Sequence, residues 1–296
     1  MLNNLSFIGL GNMGKPMALN LLKNQYNLVI YDINPELYNT FEKTKAKIAK
    51  KNSDITNKSS FIITMLPDGK ALYNLVMGKH GLIKSIKKNS IFIDCSSSDY
   101  ATTMLISKEL KKKKILFLDA PVSGGVTGAK KGSLSIMVGG NKNAFNKSKN
   151  ILKCLGKNII HIGENGTGQI VKACNNMMLG INMIGICEAF LLARKFGINQ
   201  KKFYDICISS SSSSWAMENH LPIKNIVKNS AANNKFKPGY AAKLILKDLK
   251  ISQEMSKNVK LKTNFGEKAF ELYKKFCRQD KGELDYTAII NFLDKK

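Results

Sequence analysis

The chain has 296 residues, 44% of them hydrophobic and 23% charged, which is the composition of a globular protein with room for two domains. It holds no run of about 20 uninterrupted apolar residues, so we expect no membrane partner. No apolar signal segment precedes the first predicted strand, and a cytoplasmic location is expected. The six cysteines form no C-x-x-C pair and the three histidines are isolated, so we predict no metal site.

The formal net charge of +26 at pH 7 favours, at first sight, a nucleic-acid or membrane partner. However, only Arg194 and Arg278 among the 47 basic residues are arginines, and the lysines are scattered through every polar segment. Nucleic-acid sites usually use arginine for bidentate contacts to phosphate and guanine. We therefore interpret the charge as a bias of composition and expect no nucleic-acid partner.

Strand and helix patterns alternate along the first half of the chain. Near-continuous apolar strands that alternate with helices are typical of a parallel, doubly wound α/β sheet of the Rossmann type. After the second strand, Asn34 and Pro35 predict the cap and first turn of a helix. The last two strands lie close together around a glycine-rich loop, so we expect some late strands to pair differently. The predicted strands are LSFIGLG, NLVIYD, SSFIITMLP, SIFIDCS, KILFLDAP and SLSIMVGG.

Strand patterns stop after about residue 165, and the remainder is predicted to be helical. We predict a Rossmann-type cofactor domain over residues 1–163 and an all-α domain over residues 164–296, joined by a long apolar helix within residues 166–197. This helical part is expected to support self-association as a homodimer or homotetramer. The other predicted helices cover residues 201–208, residues 217–227, YAAKLILKDLKISQEMSK, FGEKAFELYKKFC and YTAIINFLDK.

A G-x-G-x-x-G motif, formed by Gly9, Gly11 and Gly14, follows the first predicted strand and opens a helix. The first glycine of this pattern allows a tight turn, the second lets the backbone approach a pyrophosphate, and the third lets the helix pack on the sheet. The free N–H groups of the helix start then face the phosphates. Asp32 ends the second strand, where a carboxylate binds ribose hydroxyls and repels a 2′-phosphate, which favours NAD over NADP.

A second motif, DAPVSGGVTGAKKGSLSIMVGG at residues 119–140, begins at the end of a strand. Its Ser123, Gly124 and Gly125 can present a hydroxyl and bare backbone N–H groups to an anion such as a carboxylate. A glycine-rich turn between strands explains the same residues equally well.

A lysine, Lys172, lies within the apolar stretch of residues 166–197, with Asn176 one turn later on the same helix face. Burial there should lower the pKa of the lysine toward neutrality, where a general acid or base is most effective. A lysine that snorkels from the helix end would give the same pattern, so these two residues alone leave both interpretations open.

Three segments in chain order resemble the cofactor, substrate and catalytic motifs of the β-hydroxyacid dehydrogenase family: FIGLGNMGKPMALNLL, DAPVSGGVTGAKKGSLSIMVGG and GTGQIVKACNNM. The late segment SAANNKFKPGYAAKLILKDLKIS resembles the Gly-aromatic and K-D-L segment of the same family. The resemblance covers essentially the whole chain. It implies NAD-linked oxidation of a short hydroxyacid, and most closely the oxidation of 3-hydroxyisobutyrate to methylmalonate semialdehyde in valine breakdown.

The resemblance also implies residue roles. Lys172 would be the catalytic acid/base, Asn176 would orient the substrate and the lysine, and Lys247 would close over the cofactor. Serines 209–214 stand where the family has a glycine-bearing loop. The implied substrate-binding residues are Ser123, Gly124, Gly125, Asn175, Trp215 and Tyr240, and the other implied cofactor-binding residues are Gly9, Leu10, Gly11, Asn12, Met13, Gly14, Asp32, Leu66, Pro67 and Ser97.

Two alternatives stay open. The first is an NAD(P)H-dependent reductase of tartronate semialdehyde or another short semialdehyde, although Asp32 argues against the members of the family that use NADPH. The second is a non-catalytic scaffold or nucleic-acid-binding member of the fold, which the net charge of +26 favours. The presence of Lys172 and Asn176 together argues against this second alternative, because a scaffold has no need of a desolvated lysine.

Overall fold

The structure is a computed structural model and describes residues 4–56 and 59–294. The chain divides into two compact units, and the division falls between Lys172 and Ala173. This division lies inside a helix that begins at Thr167. The predicted boundary between residues 163 and 164 stays a prediction, because that helix continues from one unit into the next.

The first unit is built on one sheet. Four neighbouring pairs of strands, from β2–β1 through β1–β4 and β4–β5 to β5–β6, are parallel, and β3 adds in parallel beside β2. The predicted parallel, doubly wound sheet is therefore confirmed. Within the described residues the strands are β1 Asn4–Ile8, β2 Asn27–Tyr31, β3 Lys47–Ile48, β4 Phe61–Thr64, β5 Ile91–Asp94, β6 Leu116–Asp119, β7 Val122–Ser123, β8 Leu134–Gly140 and β9 Gly156–Gly163.

The central strands are apolar because helices cover both faces of the sheet. Every residue of β4 and of β5 is buried. Alternate residues of these strands enter two different apolar clusters, so that Ile63 and Ile93 lie in one and Ile62 and Phe92 in the other. The helices of this unit are α1 Gly14–Lys23, α2 Asn52–Thr56, α3 Gly69–Met77, α4 Tyr100–Lys112, α5 Gly125–Lys131 and α6 Lys142–Lys153.

The late strands pair differently, as expected. β8 is antiparallel to both β6 and β7, and β9 is parallel to β8. The strand β9 was not predicted from the sequence. Few of its residues are buried, and Lys157 and Asn158 are exposed. An edge strand of this kind lacks the continuous apolar run by which the central strands are predicted.

The helix predicted after Asn34 forms as a 3-10 helix, Pro35–Phe41. The cap was predicted correctly, since the Asn34 side chain accepts a hydrogen bond from the N–H of Glu36. Phe41 is the residue of this helix that is buried. With so little tertiary packing, a short segment gains little from the α form over the tighter 3-10 form.

The second unit is helical, as predicted. The helix predicted over residues 217–227 is wrong in its extent, because α9 ends at His220. Pro222 follows Leu221, and the residue before a proline is disfavoured in the α conformation. The helices are α7 Thr167–Lys195, which begins in the first unit, α8 Gln200–Ile208, α9 Trp215–His220, α10 Ala242–Asn258, α11 Asn264–Phe276 and α12 Ile290–Leu293.

By length and composition alone, α7 could cross a membrane, since its most apolar window has a mean hydropathy of 1.6. In the structure 44% of that window is buried inside the protein. Met183, Cys187 and Phe190 of α7 belong to the apolar core of the second unit, together with residues of α9, α10 and α11. These contacts are those of a core helix.

Candidate active site

The predicted phosphate-binding turn connects β1 to α1. The N–H of Gly9 donates to the carbonyl of Tyr31 at 2.9 Å, which fixes the turn at the carboxyl edge of the sheet. A Cβ atom at Gly14 would lie 1.8 Å from the Gly9 carbonyl oxygen, so that only glycine allows this close packing. A Cβ atom at Gly11, by contrast, would meet nothing within 4 Å. The Gly11 backbone therefore faces open space, and a pyrophosphate fits there.

Asp32 follows β2 and is hydrogen bonded to the same turn. Its Oδ2 accepts from the N–H of Leu10 at 2.6 Å, and its Oδ1 accepts from the N–H of Asn34 at 2.9 Å. Each carboxylate oxygen can accept more than one hydrogen bond, so Asp32 can still bind the hydroxyls of a ribose. The turn and the acid together fit NAD. Leu10, Asn12 and Met13 lie in this turn between Gly9 and Gly14, as predicted.

The predicted groove residues Leu66, Pro67 and Ser97 follow the neighbouring strands β4 and β5. The N–H of Leu66 donates to Oγ of Ser96 at 2.8 Å, which ties the two segments together. Pro67 is exposed and Ser97 is half-buried. These residues thus lie at the carboxyl edge of the sheet, where ligands of such folds bind.

A buried acid, Asp94, holds the segment that carries Ser97. Its Oδ1 accepts from the hydroxyls of Thr64 at 2.8 Å and Ser96 at 2.5 Å, and its Oδ2 accepts from the hydroxyl of Ser98 at 3.3 Å. Burial raises the pKa of Asp94 to about 6, although these hydrogen bonds oppose the change. No role was predicted for Asp94 or Ser96, because nothing in SIFIDCSSS distinguishes them from cap residues.

The predicted carboxylate-binding residues lie between β7 and α5. Ser123 ends β7 and is half-buried, and Gly125 is exposed. Gly124 and Gly125 have φ angles of 126° and 61°, in the region that favours glycine. The glycines therefore serve a turn in any case, and the structure leaves their role toward an anion as a prediction.

The start of α7, which carries Lys172, is held by Asp119 at the end of β6. Its Oδ1 accepts from the N–H of Gly166 at 2.8 Å, and its Oδ2 accepts from the N–H of Gln169 at 3.2 Å. Burial raises the pKa of Asp119, and these two N–H groups oppose the rise. Lys172 is half-buried and lies one turn beyond this anchor. Asp119 opens the predicted substrate motif, but no role was predicted for it.

In the second unit, Asn176 is almost fully buried, with 3% of its surface exposed. Its Nδ2 donates to Oδ2 of Asp248 at 2.6 Å, and the hydroxyl of Tyr240 donates to the same oxygen. Nζ of Lys247 lies 3.1 Å from Oδ1 of Asp248. Nδ2 of Asn175 donates to Oδ1 of Asn176 at 3.1 Å. Three predicted residues thus contact one acid, Asp248, to which no role was predicted, and Asn175 contacts one of the three.

Burial is the main cause that raises the pKa of Tyr240 well above its ordinary value, and the neighbouring Asp248 adds to this rise. Tyr240 is therefore a hydrogen-bond donor at neutral pH and not a phenolate. Asp248 lies beside Lys247 in the K-D-L segment, so the sequence did carry a signal for it.

Trp215 is 49% exposed. Its ring packs edge-on against His220, with ring centroids 4.6 Å apart. Nδ1 of His220 lies 2.9 Å from the hydroxyl of Tyr286, and the ring of Tyr286 packs against Tyr240. Burial lowers the pKa of His220, and Asp285 opposes this change. The aromatic rings thus connect Trp215 to Tyr240.

The predicted site residues fall into two groups. The first unit brings together the turn of residues 9–14, Asp32, Leu66 and the segment of Ser97. The second unit brings together Asn176, Tyr240 and Lys247 around Asp248, and Asn175 bonds to Asn176. Lys172 and Asn176 are four positions apart in α7 and thus share one face of that helix.

Comparison with known families assigns both parts of the chain. Residues 4–163 match the family described as the NAD-binding domain of 6-phosphogluconate dehydrogenase. Residues 166–293 match the family described as NAD-binding of NADP-dependent 3-hydroxyisobutyrate dehydrogenase.

Individual relatives are similar to this chain over most of their own length. The mitochondrial 3-hydroxyisobutyrate dehydrogenase of Rattus norvegicus is 36% identical over 97% of this chain and 86% of its own length. The NAD-dependent L-serine dehydrogenase of Pseudomonas aeruginosa is 33% identical over 98% of this chain and 97% of its own length. The structure of Mycobacterium tuberculosis 3-hydroxyisobutyrate dehydrogenase with L-serine has a TM-score of 0.92, is 31% identical, and 99% of each chain is covered. This chain therefore belongs to the β-hydroxyacid dehydrogenase family and is an NAD-dependent oxidoreductase.

Proposed function

We propose that this enzyme oxidises 3-hydroxyisobutyrate to methylmalonate semialdehyde with NAD. The observation that carries the proposal is the similarity to 3-hydroxyisobutyrate dehydrogenases over nearly the whole chain, at 36% identity for the Rattus norvegicus and Homo sapiens enzymes. Since 3-hydroxyisobutyrate arises in valine breakdown, the proposal includes a place in that pathway.

In the proposed reaction, Lys172 is the general base. Its neutral amine removes the proton of the substrate hydroxyl as the carbon–oxygen double bond forms. Bound NAD supplies the acceptor for the hydride that leaves the same carbon. In the reverse direction the Lys172 ammonium returns the proton to the oxygen. Lys172 is half-buried, which limits competition from water for this proton.

Asn176 is proposed to orient the substrate beside Lys172. Its side-chain amide is fixed by Asp248, with 2.6 Å between Nδ2 and Oδ2, so that one rotamer is strongly preferred. A side chain that is already fixed in this way loses little conformational freedom when the substrate binds. Ser123 and the backbone of Gly124 and Gly125 are proposed to bind the substrate carboxylate.

L-Serine is a second candidate substrate, favoured by the L-serine dehydrogenase that is 33% identical to this chain. The two substrates share a hydroxymethyl group and a carboxylate, and they differ in a methyl against an ammonium group on the middle carbon. Identities of 36% and 37% to the 3-hydroxyisobutyrate dehydrogenases of Rattus norvegicus and Pongo abelii, against 33% for the L-serine dehydrogenase, support 3-hydroxyisobutyrate as the first candidate.

The test is a panel of initial rates of NAD reduction with 3-hydroxyisobutyrate, L-serine, 3-hydroxypropionate, glycerate and 4-hydroxybutyrate, each repeated with NADP. The highest kcat/KM with 3-hydroxyisobutyrate and NAD would support the proposal. A maximum with L-serine would replace the substrate and keep the mechanism. A maximum with glycerate would favour the tartronate semialdehyde reductase, and no turnover in protein that binds NAD would contradict the enzymatic proposal.

We also propose that the enzyme forms a homodimer or homotetramer. Large apolar side chains are exposed at the end of α7 and just after it, with 61% of Leu192, 79% of Phe196 and 48% of Ile198 accessible. Exposed apolar residues so close together favour association with another protein surface. Sedimentation velocity on the full chain tests this, and a monomer at micromolar concentration would contradict it.

The cytoplasmic location and the lack of a nucleic-acid partner stay predictions. Several eukaryotic relatives are named as mitochondrial enzymes, and that location is theirs. A DNA-binding titration at two salt concentrations tests the second prediction. Strong, salt-dependent binding without turnover would instead favour the scaffold alternative.

A further inference from the structure

Gln169 lies in the first turn of α7 and is 2% exposed. Both ends of its side-chain amide are used. Nε2 donates to the carbonyl of Ser96 at 2.8 Å, and Oε1 accepts from the N–H of Ser98 at 3.2 Å. The amide therefore bonds to both neighbours of Ser97, a predicted cofactor residue, within the first unit.

The segment that Gln169 holds is also tied to the other side of the predicted cofactor groove. Oγ of Ser96 accepts from the N–H of Leu66 at 2.8 Å and donates to Oδ1 of Asp94 at 2.5 Å. The other end of the connection leads to the proposed catalytic base, because Lys172 follows Gln169 by three residues in the same helix. The Gln169 side chain thus bonds the groove segment to the helical turn before Lys172.

The anchoring of α7 does not depend on this side chain. Asp119 accepts from the backbone N–H groups of Gly166 and Gln169, and these bonds survive any change of the Gln169 side chain. The Gln169 amide instead fixes the distance and register between the Ser96–Ser98 segment and the turn of α7 that leads to Lys172. Glutamine suits the position because it offers a donor and an acceptor at the same time, without a charge.

We propose that Gln169 is a positioning residue for the oxidation, which holds the cofactor-groove segment around Ser97 in register with Lys172. This inference rests on the proposed role of Lys172. Loss of the Gln169 amide lets the groove segment and Lys172 move relative to each other, and a displacement of about 1 Å slows the chemical step by about 100-fold. The fold and the binding of NAD through residues 9–14 and Asp32 stay intact.

The first test compares Gln169→Met with wild-type enzyme, using the best substrate of the panel with deuterium on the carbon that bears the hydroxyl. Methionine has a similar length and lacks both hydrogen bonds. We expect kcat to fall about 10- to 100-fold and the primary isotope effect on kcat to rise, because hydride transfer becomes rate-limiting. The Kd for NAD should change less than about threefold on the same argument.

The matched control is Gln253→Met. Gln253 is a half-buried glutamine of α10 whose Oε1 accepts from the hydroxyl of Thr263 at 3.1 Å. This control loses a comparable hydrogen bond and should keep kcat and the isotope effect. A Gln169→Met enzyme with wild-type kcat and isotope effect, or with only a lower Tm, would overturn the proposal.

A second variant, Gln169→Glu, keeps the proposal testable if the methionine variant fails to fold. A protonated glutamic acid has an O–H donor and a carbonyl acceptor in the same places as the amide, whereas a glutamate lacks the donor. The titratable side chains near this position are Asp119, which accepts from the N–H of Gln169, Asp94, which accepts from Ser96, and Lys172, three residues later. The ratio of kcat between Gln169→Glu and wild type should therefore rise toward one as the pH falls, and a ratio independent of pH would overturn the proposal.

Lys172→Ala, measured beside these variants, separates the proposed function of the enzyme from the positioning role of Gln169. Wild-type turnover in Lys172→Ala would contradict the proposed function itself. An inactive Lys172→Ala together with a fully active Gln169→Met would contradict the positioning role alone.

Discussion

Nδ2 of Asn176 lies 2.6 Å from Oδ2 of Asp248, so that an amide of α7 is held by an acid of α10. The hydroxyl of Tyr240 donates to the same oxygen, and Nζ of Lys247 lies 3.1 Å from the other. Asp248 is 5% exposed and is therefore a buried charge that depends on these partners. The acid fixes three residues to which the family resemblance gives roles in substrate and cofactor binding.

We expect Asp248→Asn to lower kcat/KM by about 10- to 100-fold, since a hydrogen bond to a charged group contributes about 1.5–3 kcal/mol. The asparagine has the same size but loses the ion pair with Lys247 and cannot accept from Asn176 and Tyr240 as a carboxylate does. Steady-state kinetics with the best substrate measures this change. The control is Glu254→Gln, which removes the exposed pair with Lys250 on the same helix. A kcat/KM within twofold of wild type would show that Asp248 does not orient Asn176.

Lys172→Ala should leave the Kd for NAD nearly unchanged and lower kcat by about two to four orders of magnitude, the usual contribution of a general acid or base. The reason is that the alanine removes the proton acceptor and leaves residues 9–14 and Asp32 in place. Lys195→Ala, an exposed lysine in the last turn of the same helix, is the control. If Lys172→Ala turns over as fast as this control, the proposed mechanism is wrong.

Asp32→Asn should narrow the preference for NAD over NADP. The change removes the charge that repels a 2′-phosphate and leaves one side-chain carbonyl to accept from the N–H groups of Leu10 and Asn34. The ratio of kcat/KM for the two cofactors is the measurement. Glu36→Gln removes one negative charge from an exposed residue nearby and should leave this ratio unchanged. An unchanged ratio in Asp32→Asn would contradict the role of Asp32.

Gly11→Ala and Gly14→Ala should fail in different ways. A Cβ atom at Gly14 would overlap the Gly9 carbonyl oxygen at 1.8 Å, so this variant should lose stability. A Cβ atom at Gly11 meets nothing within 4 Å, so this variant should keep its Tm and bind NAD more weakly, because the methyl group enters the space of the pyrophosphate. Tm and the Kd for NAD measure both effects. An unchanged Kd in Gly11→Ala would show that no phosphate approaches this backbone.

The parts predicted well from sequence are those in which local pattern and burial agree. The strands β4 and β5 are buried throughout and were predicted from their apolar runs, whereas exposed residues recur along β9 at the sheet edge and this strand was not predicted. The long helix α7 was predicted from its apolar length. The prediction over residues 217–227 extended too far, because the residue before Pro222 is disfavoured in the α conformation although its neighbours are apolar.

The hydrogen-bond partners of the site residues could not be predicted from the sequence, for a physical reason. Asn176 and Asp248 are 72 positions apart, and Gln169 and Ser96 are 73 apart. Their hydrogen bonds exist only once the helices and strands have packed, and no local periodicity reports such pairs. The motifs contained Asp248, Asp119 and Gln169, but a motif shows which residues occur together and not which atoms meet.

The buried carboxyl of Asp94 gives the enzyme a stability that depends on pH. Burial raises the pKa of Asp94 to about 6, whereas an unfolded aspartate titrates near pKa ~4. Between these two pKa values the folded protein binds more protons than the unfolded one, so the free energy of unfolding falls as the pH rises. The contribution of Asp94 to stability is thus complete below pH ~4 and lost once the pH has passed through about 6.

Asp94→Asn removes this titration. A change of about two pKa units corresponds to about 3 kcal/mol, so the free energy of unfolding of the variant relative to wild type should rise by up to ~3 kcal/mol between pH 4 and pH 7. Urea unfolding at one-unit pH steps measures it. Asp205→Asn changes an exposed acid of α8 and should show no such trend. A difference between Asp94→Asn and wild type that stays constant with pH would mean that Asp94 is ionised in the folded protein throughout this range, held by Thr64, Ser96 and Ser98 more strongly than burial opposes it.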